Sequence, residues 1–417
     1  MNRSVILSAA VLVSACATVP GTAPSPSPGQ VAKVERILES PAVREAFSYV
    51  EAHRGDILDE WRFLTEIEAP SGREAERAAA VARILRQSPS VEVSVDEVGN
   101  VIAIRRGTGG GPAVAVDTHL DTVFHDLDRV ETRVEEGRLW GPGVGDSTRN
   151  VEAMLAMLRA LDAAGIRTRG DLMLTFTVEE ETSFRGIDHL LETRGDEIDH
   201  FLALDGGWNG FTYGGVGTYW IKYHFIGPGG HTRSRTPPYS ATLPAARAID
   251  RIYRLRVPAD PPSNLNVGML GASDVFNKKA ENAWFSVDVR STDQQVLDRL
   301  DRRIAAIARQ EAARAGMKLE TEIADQWPAA QISGHRGSEL VLTMEAVFRA
   351  MGFDPTIAPT ASNHSSAALR KGISAISTGT APCRDAHAPT ENCEIEPIYR
   401  GIQRLIVMAL AMTGIDS

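Results

Sequence analysis

The sequence predicts an α/β fold: a mostly parallel sheet with helices on both faces, interrupted by a smaller α+β two-layer sandwich. Three observations lead there. Apolar runs of strand length alternate with an amphipathic helical segment between residues 113 and 207. Near Tyr213 the pattern changes to a two-residue alternation, and after about Ala329 the helix–strand–helix rhythm returns. The chain has 417 residues, too many for one small core, so two domains are expected.

Taken in order, residues 41–67 and 72–87 carry apolar positions at helical spacing, with Pro70-Ser71 as a helix start signal. The stretch VEVSVDEVGNVIAIRRG reads as a hairpin with Gly99-Asn100 near its turn. AVAVDTHLD, residues 113–121, is a buried strand that runs into polar residues. VEAMLAMLRALDAAG is an amphipathic helix closed by Gly165. DLMLTFTVEE and HFLALDGG are two further buried strands. GTYWIKYHFIG then alternates like a half-solvated strand. A helix over 241–254, the strand NAWFSVDVRS, a helix near 294–315 and the strand KLETEIADQW complete the inserted sandwich. The resulting divisions are 31–213, 214–328 and 329–417, the last ending in the helical YRGIQRLIVMALAMTG.

The N-terminal residues are separate. Met1-Asn-Arg is a short basic start, and Val5 to Val13 is apolar apart from Ser8. Val13-Ser-Ala-Cys16 resembles a bacterial lipobox, which makes residues 1–16 a lipoprotein signal peptide and Cys16 the lipidated residue. A plain secretory signal is the alternative; the run is too short for a spanning helix. Residues 17–30, ATVPGTAPSPSPGQ, read as a disordered Pro/Ser tether, with the folded chain starting near Val31. By analogy with lipoproteins, the lack of Asp after Cys16 points to an outer-membrane anchor facing the periplasm. That compartment permits a disulfide between Cys383 and Cys393; two free thiols are the alternative. Net charge is −10, from 44 basic and 54 acidic residues, and no basic stripe stands out. Nucleic acid is therefore not an expected partner.

In an open α/β sheet, ligands collect outside the carboxyl ends of the strands. His119 and Asp121 end the first buried strand, Glu179, Glu180 and Glu181 the second, and Asp205 the third. Asp146 lies in the glycine-rich GPGVGDST, and His387 in RDAHAPTE after the strand ISAISTG. Singly, each has an ordinary structural explanation: a surface turn, a solvated face, a helix cap. Together, five segments deliver acids and imidazoles to one edge. Clustered like charges raise each other's pKa, and two divalent cations taking N and O ligands, as zinc does, would reconcile them.

As an ordered set, HLDTV, GPGVGD, VEEETS, LDGG, GPGGHT and HAPTE resemble the co-catalytic zinc hydrolases of metallopeptidase family twenty. That group includes peptidase T, carboxypeptidase G, aminoacylase, carnosinase and succinyl-diaminopimelate desuccinylase. The resemblance covers about residues 55–415. It implies a zinc exopeptidase catalytic domain with an inserted lid and dimerisation domain. It also implies two divalent ions, zinc first, with cobalt or manganese as alternatives. His119 and Asp205 would hold one ion, Glu180 and His387 the other, and Asp146 would bridge them. Asp121 would orient the His119 ring, and Glu179 would be the general base. A one-residue slip would instead make Glu180 the base and Glu181 the ligand. His231, after GPGG, would stabilise the developing oxyanion, in several relatives from the partner subunit of a homodimer. Arg290 would hold the lid or bind a substrate carboxylate, with a plain salt bridge as the alternative.

The implied activity is amide hydrolysis, foremost as an exopeptidase on short peptides, alternatively as a deacylase of N-acyl amino acids. An inactive peptide-binding homologue would be expected to lack the base or a ligand, and here those positions are filled. The sequence departs from the family pattern at three places. Ser147-Thr-Arg-Asn150 replaces a glycine-rich run, and Asp274-Val-Phe-Asn277 replaces Asn-Val-Ile-Pro. Ser362-Asn-His-Ser-Ser366 replaces Gly-Thr-Asp-Ala-Asn, putting His364 at the Asp position. These changes bear on the substrate pocket and leave the ligand positions intact.

Overall fold

The computed structural model describes residues 23–127, 129–273 and 275–416; Cys16, the rest of the expected signal peptide and Asp274 lie outside them. The first helix, α1 (Pro28–Glu39), takes the last three residues of the expected tether. Its start is a reciprocal cap: Gln30 N–H donates to Ser27 Oγ at 3.3 Å, and Ser27 N–H donates to Gln30 Oε1 at 2.8 Å. Pro28 at the first helical position completes it. The helical stretch foreseen over 41–67 is two helices, α2 (Pro41–Ala52) and α3 (Arg54–Glu66), broken at His53. The next, α4 (Ala75–Leu85), starts later than Pro70-Ser71 suggests, because the Ser71 hydroxyl is used on Asp121 at 2.5 Å.

The hairpin forms as β1 (Glu92–Val95) and β2 (Val101–Arg105), its turn gathered by Asp96 Oδ1, which accepts from the N–H of Val98, Gly99 and Asn100. There follow β3 (Val114–His119), β4 (Arg133–Glu135), β5 (Arg138–Trp140), α5 (Arg149–Ala163), β6 (Leu172–Thr177), α6 (Arg185–Arg194), β7 (His200–Leu204) and β8 (Gly210–Thr212).

The inserted domain contains β9 (Gly217–Ile226), β10 (Gly230–His231), α7 (Thr242–Tyr253), β11 (Ser263–Asn266), β12 (Leu270–Gly271), β13 (Lys278–Lys279), β14 (Asn282–Ser291), α8 (Gln294–Arg314) and β15 (Lys318–Trp327). Its antiparallel sheet runs β11-β14-β9-β15, with β12 added to β14. The alternating side chains of β9 and β14 send Tyr223, Phe225 and Phe285 into a core with Ala245, Leu297 and Leu300 from the two helices. The chain leaves and re-enters the main body side by side: Gly215 N–H donates to Ala330 O at 2.7 Å, and Ala330 N–H donates back to Gly215 O at 3.0 Å.

The chain then adds α9 (Glu339–Ala350), β16 (Thr356–Ala358), α10 (His364–Arg370), β17 (Ser374–Thr378), β18 (Cys383–Arg384), β19 (Asn392–Glu394) and α11 (Glu396–Thr413). The main sheet has eight strands in the order β1-β2-β6-β3-β7-β17-β8-β16, with β6, β3, β7 and β17 parallel at its centre. Successive residues of β2 and β3 supply opposite faces. Ala103, Val114 and Val116 meet α5 and α11, while Ile102, Ile104 and Ala115 meet α6 and α10. Helices thus cover both faces, which is why these strands are apolar at nearly every position. A four-stranded ribbon, β18-β19-β5-β4, lies beside the carboxyl ends of the parallel strands. Among the described residues, no helix is long and apolar enough to cross a membrane.

Candidate metal centre

His119 is the last residue of β3, and Asp205 directly follows β7. Asp146 comes from the turn before α5, where a cis peptide joins it to Ser147. Glu180 and Glu181 lie just past β6, and His387 lies in the loop between β18 and β19. The Asp146 carboxylate stands between the imidazoles: Oδ1 is 2.9 Å from His119 Nε2, and Oδ2 is 3.2 Å from His387 Nε2. Glu181 Oε1 is also 3.2 Å from His387 Nε2. Three overlapping groups have ligand atoms within 4.8 Å of one another: His119, Asp146 and Asp205; His119, Glu180 and Glu181; Asp146, Glu181 and His387.

The glutamates sit differently from the first of the two expected registers. Glu179 is not in the cluster. Its backbone is left-handed (φ 57°), and its carboxylate turns away to accept from Arg185 Nε at 2.7 Å and Ser183 Oγ at 2.7 Å. Glu181, not Glu180, meets His387 and Asp146. Glu180 stands beside His119, with Asp205 and Glu181 as its charged neighbours.

Asp121 is fully buried and does more than face His119. Its Oδ1 is 3.4 Å from His119 Nδ1, and its main-chain oxygen is 3.1 Å from the same nitrogen. Its carboxylate also accepts from Glu180 N–H at 2.9 Å and Glu181 N–H at 3.0 Å. One side chain therefore aims the ring and pins the backbone of both acids. Burial opposes its charge, but the bonds from His119, Ser71 and Glu181 hold its pKa down at about 2.

Glu391 of the HAPTE motif had no role in the sequence reading. It is buried and accepts from three N–H groups of the Asp146 loop: Gly143 at 2.7 Å, Gly145 at 2.8 Å and Asp146 at 2.7 Å. Burial nevertheless lifts its carboxyl to about 7. Arg149 is also buried, donates to Gly206 O at 2.7 Å and places a cation near Asp146 and Asp205. His364, at the departure from the family pattern, is buried against Asp117 at 2.7 Å, and its ring lies 6.4 Å from that of His119.

The remaining predicted residues sit in the lid. His231 is exposed on β10, accepts from Arg233 N–H at 3.1 Å, and makes no hydrogen bond to the cluster among the described residues. Arg290 on β14 pairs with Asp288 at 3.1 Å, the plain salt bridge, yet also lines a cavity of about 340 Å³ with Asn264, Thr360 and Ser362. Thr360 and Ser362 also line a cavity of about 460 Å³ that contains Asp205. Cys383 and Cys393 are disulfide-bonded beneath the His387 loop.

The electrostatics fit cations at this position. Burial pushes the Glu180 carboxyl well above its ordinary range, with Asp205, Glu181 and Asp121 adding to the rise against the pull of His119. Burial likewise lifts Glu181 to about 7 and raises Asp205. Asp146 is held low despite burial by the bonds from His119 and His387. Those bonds have their counterpart in the rings: His387 is raised to about 9, chiefly by Asp146, and His119 is raised despite burial. Crowded carboxylates and two imidazoles aimed at shared points are the donor set of a divalent metal pair.

Comparison with known proteins agrees with this architecture. Two solved structures share the fold. One is a tripeptidase from Staphylococcus aureus: TM-score 0.76, 21% identity, covering 86% of this chain and 98% of that one. The other is aminopeptidase PepT from Bacillus cereus: TM-score 0.75, 17% identity, with the same coverage. Carboxypeptidase G2 of a Pseudomonas species is 24% identical over 206 residues, 48% of this chain and 49% of the relative. A Thermococcus kodakarensis protein, provisionally named LysW-lysine/LysW-ornithine hydrolase, is 32% identical over 162 residues, 39% of this chain and 43% of the relative. The chain thus spans less than half the length of these two curated relatives. The model of peptidase family M20/M25/M40 matches residues 115–411, a span that begins in β3 and includes His119, Asp146, Glu181, Asp205 and His387, and the chain is a member of that family.

Proposed function

We propose that this protein is a two-metal amidohydrolase, acting as an exopeptidase on short peptides, with zinc as the working ion. The single observation that carries the reading is the Asp146 carboxylate, one oxygen toward each imidazole, flanked by Asp205 and Glu181. His119 and Asp205 would hold one ion, Glu181 and His387 the other, and Asp146 both. Such ions supply Lewis-acid polarisation of the scissile carbonyl and make the attacking water more acidic.

The chain's own residues do the rest. Glu180 is left at the cluster without a ligand assignment, beside His119, and as an ionised carboxylate next to bound cations it would be placed to accept a proton. It takes the proton from the attacking water and returns it to the leaving amine nitrogen. Asp121 keeps it in place through the backbone. The adjoining cavities, one with Asp205 and one with Arg290, suit a short substrate with a carboxylate terminus. His231 would act from the lid, by closure or from a second copy in a homodimer. Anchoring through Cys16 on the periplasmic face of the outer membrane belongs to the same proposal and rests on the sequence from Met1 to Ala17 alone.

The test is hydrolysis of a dipeptide, tripeptide and N-acetyl amino acid panel by residues 23–417, with metal content measured before and after chelation. Peptide turnover that disappears on chelation and returns with zinc is expected. Full activity in the stripped protein would overturn the reading, and preference for N-acetyl amino acids would reassign the substrate.

A further inference from the structure

The ligand His387 has little to hold it. Its side chain is 52% exposed, while that of His119 is 2% exposed. Nδ1 of His119 is braced by Asp121; among the described residues, no protein group bonds Nδ1 of His387. Metal-binding histidines ordinarily have such a partner, which fixes the ring. The backbone is unfavourable too: Asp385 (φ 58°) and His387 (φ 65°) are both left-handed without being glycine. Conformations of that kind persist only when the surroundings impose them.

The loop is flanked by β18 and β19, which pair only at Cys383 with Cys393 and at Arg384 with Asn392. A ladder this short is not stable by itself. The C-terminal limb is well held, by Glu391 on the Asp146 loop and by β19 pairing with β5. The N-terminal limb has far less, and its covalent tie is the Cys383–Cys393 bond. The same cysteines pack on the residue before Asp146. A Cβ added at Gly145 would lie 2.9 Å from Cys393 Sγ and 3.0 Å from Cys383 Cβ.

We infer that the Cys383–Cys393 disulfide is a positioning device for one of the two metal sites, the one built from Asp146, Glu181 and His387. It rests on the proposed metal reading. The bond closes the loop that presents His387 and packs against the turn that presents Asp146. The two sites are therefore built differently. The His119 and Asp205 side is fixed by burial and by strand ends. The His387 side depends on a covalent clip, so its metal occupancy follows the oxidation state of two cysteines.

The test is calorimetric titration of the metal-free protein with Zn²⁺, comparing wild type with the Cys383→Ser/Cys393→Ser variant. Wild type should take up two ions. The variant should keep one at unchanged affinity and bind the other about 10–100-fold more weakly, the usual effect of removing a support behind a ligand. If the variant folds poorly by circular dichroism, wild type reduced with a phosphine after folding and then desalted is titrated instead, with the same expectation. Two ions bound with wild-type affinities in the variant or the reduced protein would overturn the inference. Wild type that binds no ion would overturn the metal reading and this inference with it.

Discussion

Three adjacent glutamates offer a sharp test, because their geometry assigns each a different consequence. Glu179 has its carboxylate on Arg185 and Ser183, and the Arg185 side chain is 50% exposed. A half-exposed ion pair of this kind contributes about 0–1 kcal/mol. Glu179→Ala should therefore leave metal content at two ions per chain and kcat/KM within about fivefold of wild type, the ratio that 1 kcal/mol allows. Glu180→Gln keeps the shape and removes the proton acceptor. General acid–base catalysis is worth about 10²–10⁴-fold, so kcat should fall by that factor, or about 3–5.5 kcal/mol in barrier, with both ions retained. Glu181→Gln removes the charged oxygen 3.2 Å from His387 Nε2 and should cost one ion as well as activity. The assay is kcat/KM on the best peptide of the panel, with metal content by mass spectrometry on the same samples. A loss in Glu179→Ala as large as in Glu180→Gln would refute the reasoning and restore the carboxylate beside Arg185 as the base.

Three other outcomes are expected. In the metal-free protein the bond to Asp146 raises His387 to about 9 and burial raises Glu181 to about 7, so both hold their protons more tightly than usual. Binding at that site should release about one proton or more at pH 7, with affinity rising as pH increases through the range of both groups; heats in buffers of different ionisation enthalpy measure this, and zero release would contradict it. Asp121→Asn leaves the Glu180 and Glu181 N–H groups with one good acceptor between them and should weaken metal binding about 10–100-fold, read by competition with a coloured chelator. Gly145→Ala places a methyl 2.7 Å from Glu391 Oε1 and against the disulfide; overpacking of this order costs about 1–3 kcal/mol, measured as a lowered unfolding midpoint.

Much of the architecture was legible because it follows from period. The fully apolar runs of β3, β6 and β7 need cover on both sides, and the alternating β9 and β14 need it on one. Three of the segments that supply the cluster were legible too, since the ends of β3, β6 and β7 are fixed once the strands are; Asp146 and His387 lie in loops and were located by their motifs. The glutamate register was not. β6 ends at Thr177, and the left-handed turn at Glu179 reverses which way the next side chains point, so strand alternation carries no information there. Arg185, six residues along, was the available signal that Glu179 had another partner. The reciprocal Ser27–Gln30 cap was readable but was submerged in a Pro/Ser-rich run. Glu391 was silent because its partner at Asp146 is 245 positions away in the chain.

The double hydrogen bond between Gly215 and Ala330 has an architectural consequence. An excursion of more than a hundred residues that begins and finishes at neighbouring points can be excised without opening a gap. Splicing residue 214 to residue 331 through a short turn would yield a miniature protein that keeps all six acidic and imidazole groups of the centre. Such a truncation would ask whether the cluster assembles and takes up metal without the domain that carries His231 and Arg290.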